Sequence, residues 1–163
     1  MGRGRPEDPE AGGRPLRVGP LGDARHGPDR GRSAGDDPRL LRLPAAHVAL
    51  AQKLAFLRDE GVLVLGSGDV VHNLGVVDWA NEGGYDWAER FDAEVRRRIT
   101  GGDLDALVAY ERLPDAPLAV PTPEHYLPLL YVLALGRPGD AVSFFNEKVV
   151  LGSISMTSVV LGG

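Results

Sequence analysis

The chain has 163 residues, 43% of them hydrophobic and 25% charged, which is the composition of one soluble globular domain. Its formal net charge of -5 argues against a nucleic-acid partner, because phosphate binding depends mainly on a basic surface. The absence of cysteine excludes disulfides, thiolate metal ligands and cysteine nucleophiles. No apolar run reaches the roughly 18 residues of a membrane span, and no apolar stretch follows the N-terminal arginines as it would in a secretory signal. We therefore expect a cytoplasmic protein without a membrane partner.

The sequence changes character near Pro44. Residues 1–44 are rich in glycine, proline and arginine and contain no aromatic residue. Such a segment buries too little apolar area to offset the entropy of ordering it, so we predict that it is disordered or irregular. Residues 45–163 are predicted to form the folded part of the chain.

The folded part is predicted to alternate helices and strands. Helical spacing or helix-capping residues occur over residues 45–60, 87–100, 103–112 and 123–135. The apolar run at 62–65, bounded by glycines, is typical of a buried strand in a parallel sheet. Further strands are predicted at 141–145 and 149–152, with a hairpin around residues 146–148. This order predicts an α/β domain, a layered sheet flanked by helices.

His72 is the first candidate for chemistry. It follows the strand predicted at 62–65 and the turn Gly66–Gly68, and α/β proteins place reactive side chains at the carboxyl ends of strands. Its imidazole could act as a general acid and base near neutral pH. The alternative is a histidine that only hydrogen-bonds to the backbone of its loop. The turn itself lacks the lysine of a phosphate-binding loop, and Ser67 lacks the Gly-x-Ser-x-Gly pattern of a nucleophile.

His125 is the second candidate. It lies in the first turn of a predicted helix, after Pro121 and Pro123, which fix the local backbone. A neutral imidazole on a rigid element is a good ligand for iron or zinc. The alternative is a surface or half-buried histidine. Glu124 beside it could be a second ligand, a cap for the start of the helix, or a charge favoured by the helix dipole.

Three segments together resemble one protein family. They are Leu57-Arg58-Asp59-Glu60-Gly61-Val62-Leu63-Val64-Leu65-Gly66-Ser67-Gly68 with Val71-His72-Asn73-Leu74, then Pro121-Thr122-Pro123-Glu124-His125-Tyr126-Leu127-Pro128-Leu129-Leu130, and finally Gly152-Ser153-Ile154-Ser155-Met156-Thr157-Ser158. In this order they resemble the C-terminal half of the class III extradiol ring-cleavage dioxygenases of the DOPA extradiol type. The resemblance covers roughly residues 45–163.

The resemblance implies a metal-dependent enzyme that inserts O2 into a catechol-type aromatic substrate. It implies that His125 is a metal ligand and that His72 is the acid/base histidine near the substrate. The implied metal is Fe(II), with Zn(II) as an alternative occupant. Ser67, Asn73 and Tyr126, which lie in the same segments, are candidate substrate-binding residues.

The sequence departs from the family in its N-terminal part. The family's two further metal-ligand histidines have no counterpart in residues 1–44, so the chain is expected to be a truncated single domain. Two interpretations follow. The chain is an enzyme whose site is completed by a partner chain, an oligomer or a missing N-terminal half, or it is an inactive fragment or binding module without the complete metal site.

Overall fold

The computed structural model describes residues 43–162, so almost all of the segment predicted to be irregular lies outside the described residues. Five α-helices are present in this part of the chain: α1 Pro44–Gln52, α2 Asp86–Thr100, α3 Leu104–Val108, α4 Ala116–Ala119 and α5 Leu127–Ala134. Short 3₁₀-helices occur at Ala55–Arg58, Leu74–Val76, Tyr110–Arg112 and Pro123–His125. The strands are β1 Val142–Phe145, β2 Val149–Val150, β3 Ile154–Ser155 and β4 Ser158–Leu161. Within residues 43–162 no helix combines the length and apolar character needed to cross a membrane.

The helix α2 follows the sequence prediction closely. Asp86 and Glu89 lie in its first turn and Arg97 in its last, the arrangement that the helix dipole favours. Phe91 and Val95 lie one turn apart on the buried face and are both fully buried. Burial of each of these side chains contributes on the order of 1.5–3 kcal/mol to the free energy of unfolding.

One hydrophobic core joins α2, α3 and α5. Its largest fully buried side chains are Tyr126, Phe91, Leu107 and Leu130. The helix α1 packs against α5. Helix α3 is capped as predicted by Asp103, whose side chain accepts a hydrogen bond from the backbone N–H of Ala106 at 3.2 Å. The core therefore fixes α5 and the turn before it, which carries His125.

The four strands form two nested antiparallel pairs rather than a hairpin of β1 with β2. The inner pair is β2 with β3 and the outer pair is β1 with β4. Leu151 and Gly152 adopt left-handed backbone angles, with φ of 53° and 76°, and they reverse the chain directly after β2. The hairpin predicted around residues 146–148 is therefore wrong, because the tight reversal lies at residues 151–152.

The predicted parallel strand at 62–65 is also wrong. Leu63 and Leu65 are 81% and 83% exposed, and no strand among the described residues pairs with this segment. An apolar run predicts burial, but a strand also requires a neighbouring strand to accept its hydrogen bonds. The strands β1 and β4 line the same cleft as residues 64 and 65, but they pair with each other and not with this segment. The predicted mixture of helices and sheet is confirmed, as helices with two small antiparallel sheets.

Candidate functional site

The backbone of His72 is held between β3 and the end of α4. Its N–H donates to the carbonyl oxygen of Ala119 at 2.9 Å. On the other side, the N–H of Asn73 donates to the carbonyl oxygen of Ser153, just before β3, at 3.2 Å. Ser155 N–H donates to the oxygen of Val71 at 2.9 Å. These bonds give residue 72 a fixed position even though the predicted strand before it does not form.

A buried polar chain anchors β3 to α2. The Ser155 hydroxyl donates to Asp92 Oδ1 at 2.6 Å, and Arg96 Nε donates to Asp92 Oδ2 at 2.9 Å. Ser155 and Asp92 are both buried, with 1% and 2% of their surface exposed. Because both carboxylate oxygens of Asp92 are hydrogen-bonded, the carboxylate is satisfied in the core. This network, which fixes the strand beside His72, is not apparent from the sequence.

His125 ends the short helix that begins at Pro123, and its position depends on the glycine turn before Asp69. The backbone N–H of Asp69 donates to the carbonyl oxygen of His125 at 2.8 Å. A β-carbon at Gly68 would lie 2.1 Å from that oxygen, and one at Gly66 would lie 2.6 Å from the carbonyl oxygen of Pro128. The two glycines thus allow the loop to lie directly against the segment that carries His125.

The two candidate histidines lie against each other. The imidazoles of His72 and His125 are stacked, with ring centroids 3.6 Å apart and planes inclined by 17°. Asp69 completes a group of three, in which one possible ligand atom from each residue lies within 4.8 Å of the others. The side chain of His125 is 47% exposed and that of Asp69 is 27% exposed, so solvent reaches the group.

The chemistry of these donors fits a divalent metal ion. Two imidazoles and one carboxylate form a donor set that Fe(II) and Zn(II) both accept. Ligand atoms that each lie about 2.0–2.2 Å from one ion are at most about 4.4 Å apart. The three candidate ligand atoms lie within 4.8 Å of one another, which is near the spacing that a shared ion requires. The group does not include Glu124, which was one alternative for a second ligand. The sequence does not single out Asp69, because its approach to His125 depends on the packing of the glycine loop.

The structure does not bring Tyr126 to this group. Its side chain is fully buried, its hydroxyl donates to the carbonyl oxygen of Leu107 at 3.2 Å, and its ring lies 4.4 Å from that of Tyr110. Burial raises the pKa of the Tyr126 hydroxyl far above its usual range, so the group remains a protonated donor. Tyr126 therefore packs in the core behind His125, and substrate binding by Tyr126 stays a prediction.

Asn73 and Ser67 have different surroundings. Asn73 Oδ1 accepts from the N–H of Gly75 at 3.0 Å, and Nδ2 donates to the carbonyl oxygen of Leu118 at 2.8 Å. Both ends of this side chain thus order the loop after His72. Ser67 is exposed between the two glycines. Substrate binding by Ser67 and Asn73 stays a prediction.

An apolar cleft opens beside Asp69. It has a volume of about 240 Å³ and lies between residues 64–70, α5 and the strands β1 and β4. Leu65, Val132 and Phe145 line it. The cleft offers room for a small apolar or aromatic group beside Asp69, and neither His72 nor His125 lines it.

Comparison with known proteins identifies relatives with one shared name, although no family model matches the chain. The protein of Escherichia coli (strain K12) named 4,5-DOPA dioxygenase extradiol is 43% identical over 124 residues, which are 73% of this chain and 46% of that protein. The protein of the same name from Beta vulgaris is 38% identical over 95 residues, 58% of this chain and 35% of the relative. The crystal structure of an uncharacterized protein from Escherichia coli K12 matches with a TM-score of 0.68 and 39% identity, over 74% of this chain and 50% of that one.

These findings confirm the resemblance that the sequence motifs indicated. The chain is similar to DOPA extradiol dioxygenase-like proteins in sequence, and it shares its fold with the solved relative. It spans less than half the length of the curated relatives that it matches.

Proposed function

We propose, on the premise of this similarity, that the chain carries part of the active site of a metal-dependent extradiol dioxygenase that cleaves a catechol-type substrate with O2. The observation that supports the proposal most strongly is the stacking of His72 on His125, since these residues come from the two segments that carry the resemblance. The two alternatives from the sequence were a His72 that bonds only to its loop and a His125 at the surface. Neither alternative predicts that the two rings stack on each other.

In this proposal His125 is a metal ligand, and Asp69 lies beside it. A bound Fe(II) or Zn(II) would supply a Lewis acid that orients the catechol oxygens, and iron would in addition activate O2. The partial exposure of His125 leaves its ring accessible to an ion and to a substrate. The apolar cleft beside Asp69 is a suitable place for the aromatic ring or its side chain.

His72 is proposed to move protons. A catechol must lose protons to bind as a chelate, and a proton must be returned when the O–O bond breaks. An imidazole can both accept and donate a proton, so His72 can perform both steps. The hydrogen bonds that hold the backbone of His72 between β3 and α4 would keep the imidazole in one place during the reaction.

A second candidate is a chain that binds a metal or an aromatic ligand without turning it over. The observation that favours it is the small donor set. Among residues 43–162 a single group of three candidate ligands is found, and the chain spans less than half the length of its curated relatives. In that case further ligands would come from a partner chain or another copy. The cytoplasmic location expected from the sequence stays a prediction.

The experiment that separates the two candidates is anaerobic loading with Fe(II), followed by O2 and 3,4-dihydroxyphenylalanine. Ring cleavage consumes one O2 per catechol, places both labelled atoms of ¹⁸O2 in the product and gives a yellow ring-opened compound. Autoxidation would instead give a quinone and hydrogen peroxide. Iron binding without labelled product would support the second candidate, and a chain that binds neither iron nor catechol would contradict both.

The variant His72→Gln tests the proton-transfer role. We expect turnover to fall by about 10²–10⁴-fold, the usual contribution of general acid–base catalysis, while iron still binds. The matched control is His47→Gln, because His47 does not belong to the group and its Nδ1 lies 3.0 Å from the Tyr131 hydroxyl. Equal losses in the two variants would contradict a specific role for His72.

A further inference from the structure

We infer that Asp69 is a positioning residue for His125: the Asp69 carboxylate faces Nδ1 of the imidazole and thereby leaves Nε2 to bind the metal ion. The inference deepens the proposed function and rests on it only in taking His125 as a metal ligand. Asp69 touches His125 twice. Its backbone N–H donates to the His125 carbonyl oxygen at 2.8 Å, and its Oδ2 lies 3.5 Å from His125 Nδ1.

The backbone determines where this carboxylate lies. Because a β-carbon at position 68 would meet the His125 carbonyl oxygen at 2.1 Å, the loop is packed against His125 at the residue before Asp69. An aspartate side chain has only one methylene group, so its carboxylate stays close to the backbone that carries it. The close backbone contact therefore brings the carboxylate to the imidazole.

Asp69 also differs from other carboxylates of the described chain in its partner. Asp92, Glu94 and Asp140 each form ion pairs with arginine side chains. Among residues 43–162 the side chain of Asp69 has one ion-pair partner, His125, and no side-chain hydrogen bond. Its charge is thus directed at the histidine and is not neutralised by a neighbouring arginine.

The chemistry of imidazole gives this contact a consequence. A neutral imidazole carries one proton, and a carboxylate at Nδ1 favours the tautomer with the proton on Nδ1. The lone pair of Nε2 is then available to an ion, and the ring becomes a stronger ligand. The distance of 3.5 Å is longer than a hydrogen bond, and we expect it to shorten when the ring binds an ion.

The test compares Asp69→Ala and Asp69→Asn with Asp105→Ala, which removes an exposed aspartate on α3. The ¹⁵N shifts of the His125 ring nitrogens, measured at pH 8 without metal, report the tautomer directly. Visible absorption of added Co²⁺ reports the affinity of the site. Asp69→Asn keeps the size of the side chain, so it isolates the effect of the charge should the alanine variant fold poorly.

We expect the unsubstituted chain and Asp105→Ala to hold the Nδ1–H tautomer of His125, and both Asp69 variants to shift toward the Nε2–H form. The dissociation constant for Co²⁺ should rise by about 10–100-fold in the Asp69 variants, the usual effect of removing a carboxylate behind a ligating histidine. An unchanged tautomer would overturn the inference, even if Co²⁺ affinity fell, because Asp69 would then act as a direct ligand. The tautomer is measured without iron or substrate, so this result is independent of whether the chain has dioxygenase activity.

Discussion

A β-carbon at position 68 would lie 2.1 Å from the carbonyl oxygen of His125, a separation that real β-carbons do not show. Gly68 and His125 are therefore packed backbone against backbone. Because Asp69 and His72 follow Gly68 in the same segment, this contact determines how the two halves of the candidate site meet. The geometry of the site therefore requires a glycine at position 68, because any side chain there would push the two segments apart.

Replacing Gly68 with alanine should separate the two segments. We expect the free energy of unfolding to fall by about 1–3 kcal/mol, the usual cost of inserting atoms into packed space, and Co²⁺ affinity to fall with it. Urea denaturation measures the first effect and visible titration the second. The control is Gly83→Ala, where the nearest atom to a new β-carbon is Asn81 Oδ1 at 3.7 Å. Equal stability of the two variants would contradict the close contact.

Replacing Ser155 with alanine should loosen the strand that holds His72. The change removes the hydrogen bond to the buried Asp92 carboxylate, and we expect a loss of about 1–3 kcal/mol in the free energy of unfolding. Ser143→Ala is the control, because Ser143 is exposed on β1. Chemical denaturation of both variants checks the prediction. A loss no larger than that of Ser143→Ala would show that the buried bond does not stabilise β3.

Tyr126→Phe distinguishes a core residue from a substrate-binding one. The ring stays in place and only the hydrogen bond to the Leu107 carbonyl is lost, so we expect a decrease of about 0.5–1.5 kcal/mol in the free energy of unfolding. Affinity for Co²⁺ and for a catechol should remain unchanged. Titration calorimetry measures both affinities. A variant that kept its stability but lost affinity for catechol would contradict the assignment of Tyr126 to the core.

Asp140 should make stability depend on acidic pH. The hydrogen bond from Arg58 lowers the pKa of Asp140 to about 2, while an unfolded aspartate titrates near 3.9. Since the folded value is the lower one, the stabilisation is complete above about pH 5 and is lost progressively as the pH falls through 4 toward 2. The difference in the free energy of unfolding between the unsubstituted chain and Asp140→Asn should shrink over this range. A difference that stays constant from pH 5 to pH 2 in urea titrations would contradict the pairing.

Local sequence patterns predicted the helices and the two candidate histidines better than they predicted the sheet. The start signal at Asp86 and the stop signal at Gly101-Gly102 were enough to place α2 to within one residue, because a helix forms its hydrogen bonds within itself. The run at 62–65 misled because a strand needs a partner elsewhere in the chain, and the sequence does not show whether one is available. His72 and His125 were identified through motifs 53 residues apart in the sequence, whereas their contact and the role of Asp69 depend on the packing of a glycine loop.

The most direct test of the account is a crystal structure of the protein with Zn²⁺, using anomalous scattering at the zinc edge. We predict one zinc site within about 2.1 Å of an imidazole nitrogen of His125, with the ring of His72 and the carboxylate of Asp69 beside it. A zinc ion bound elsewhere, or His72 and His125 separated in the crystal, would contradict the claim that these two histidines form one chemical centre.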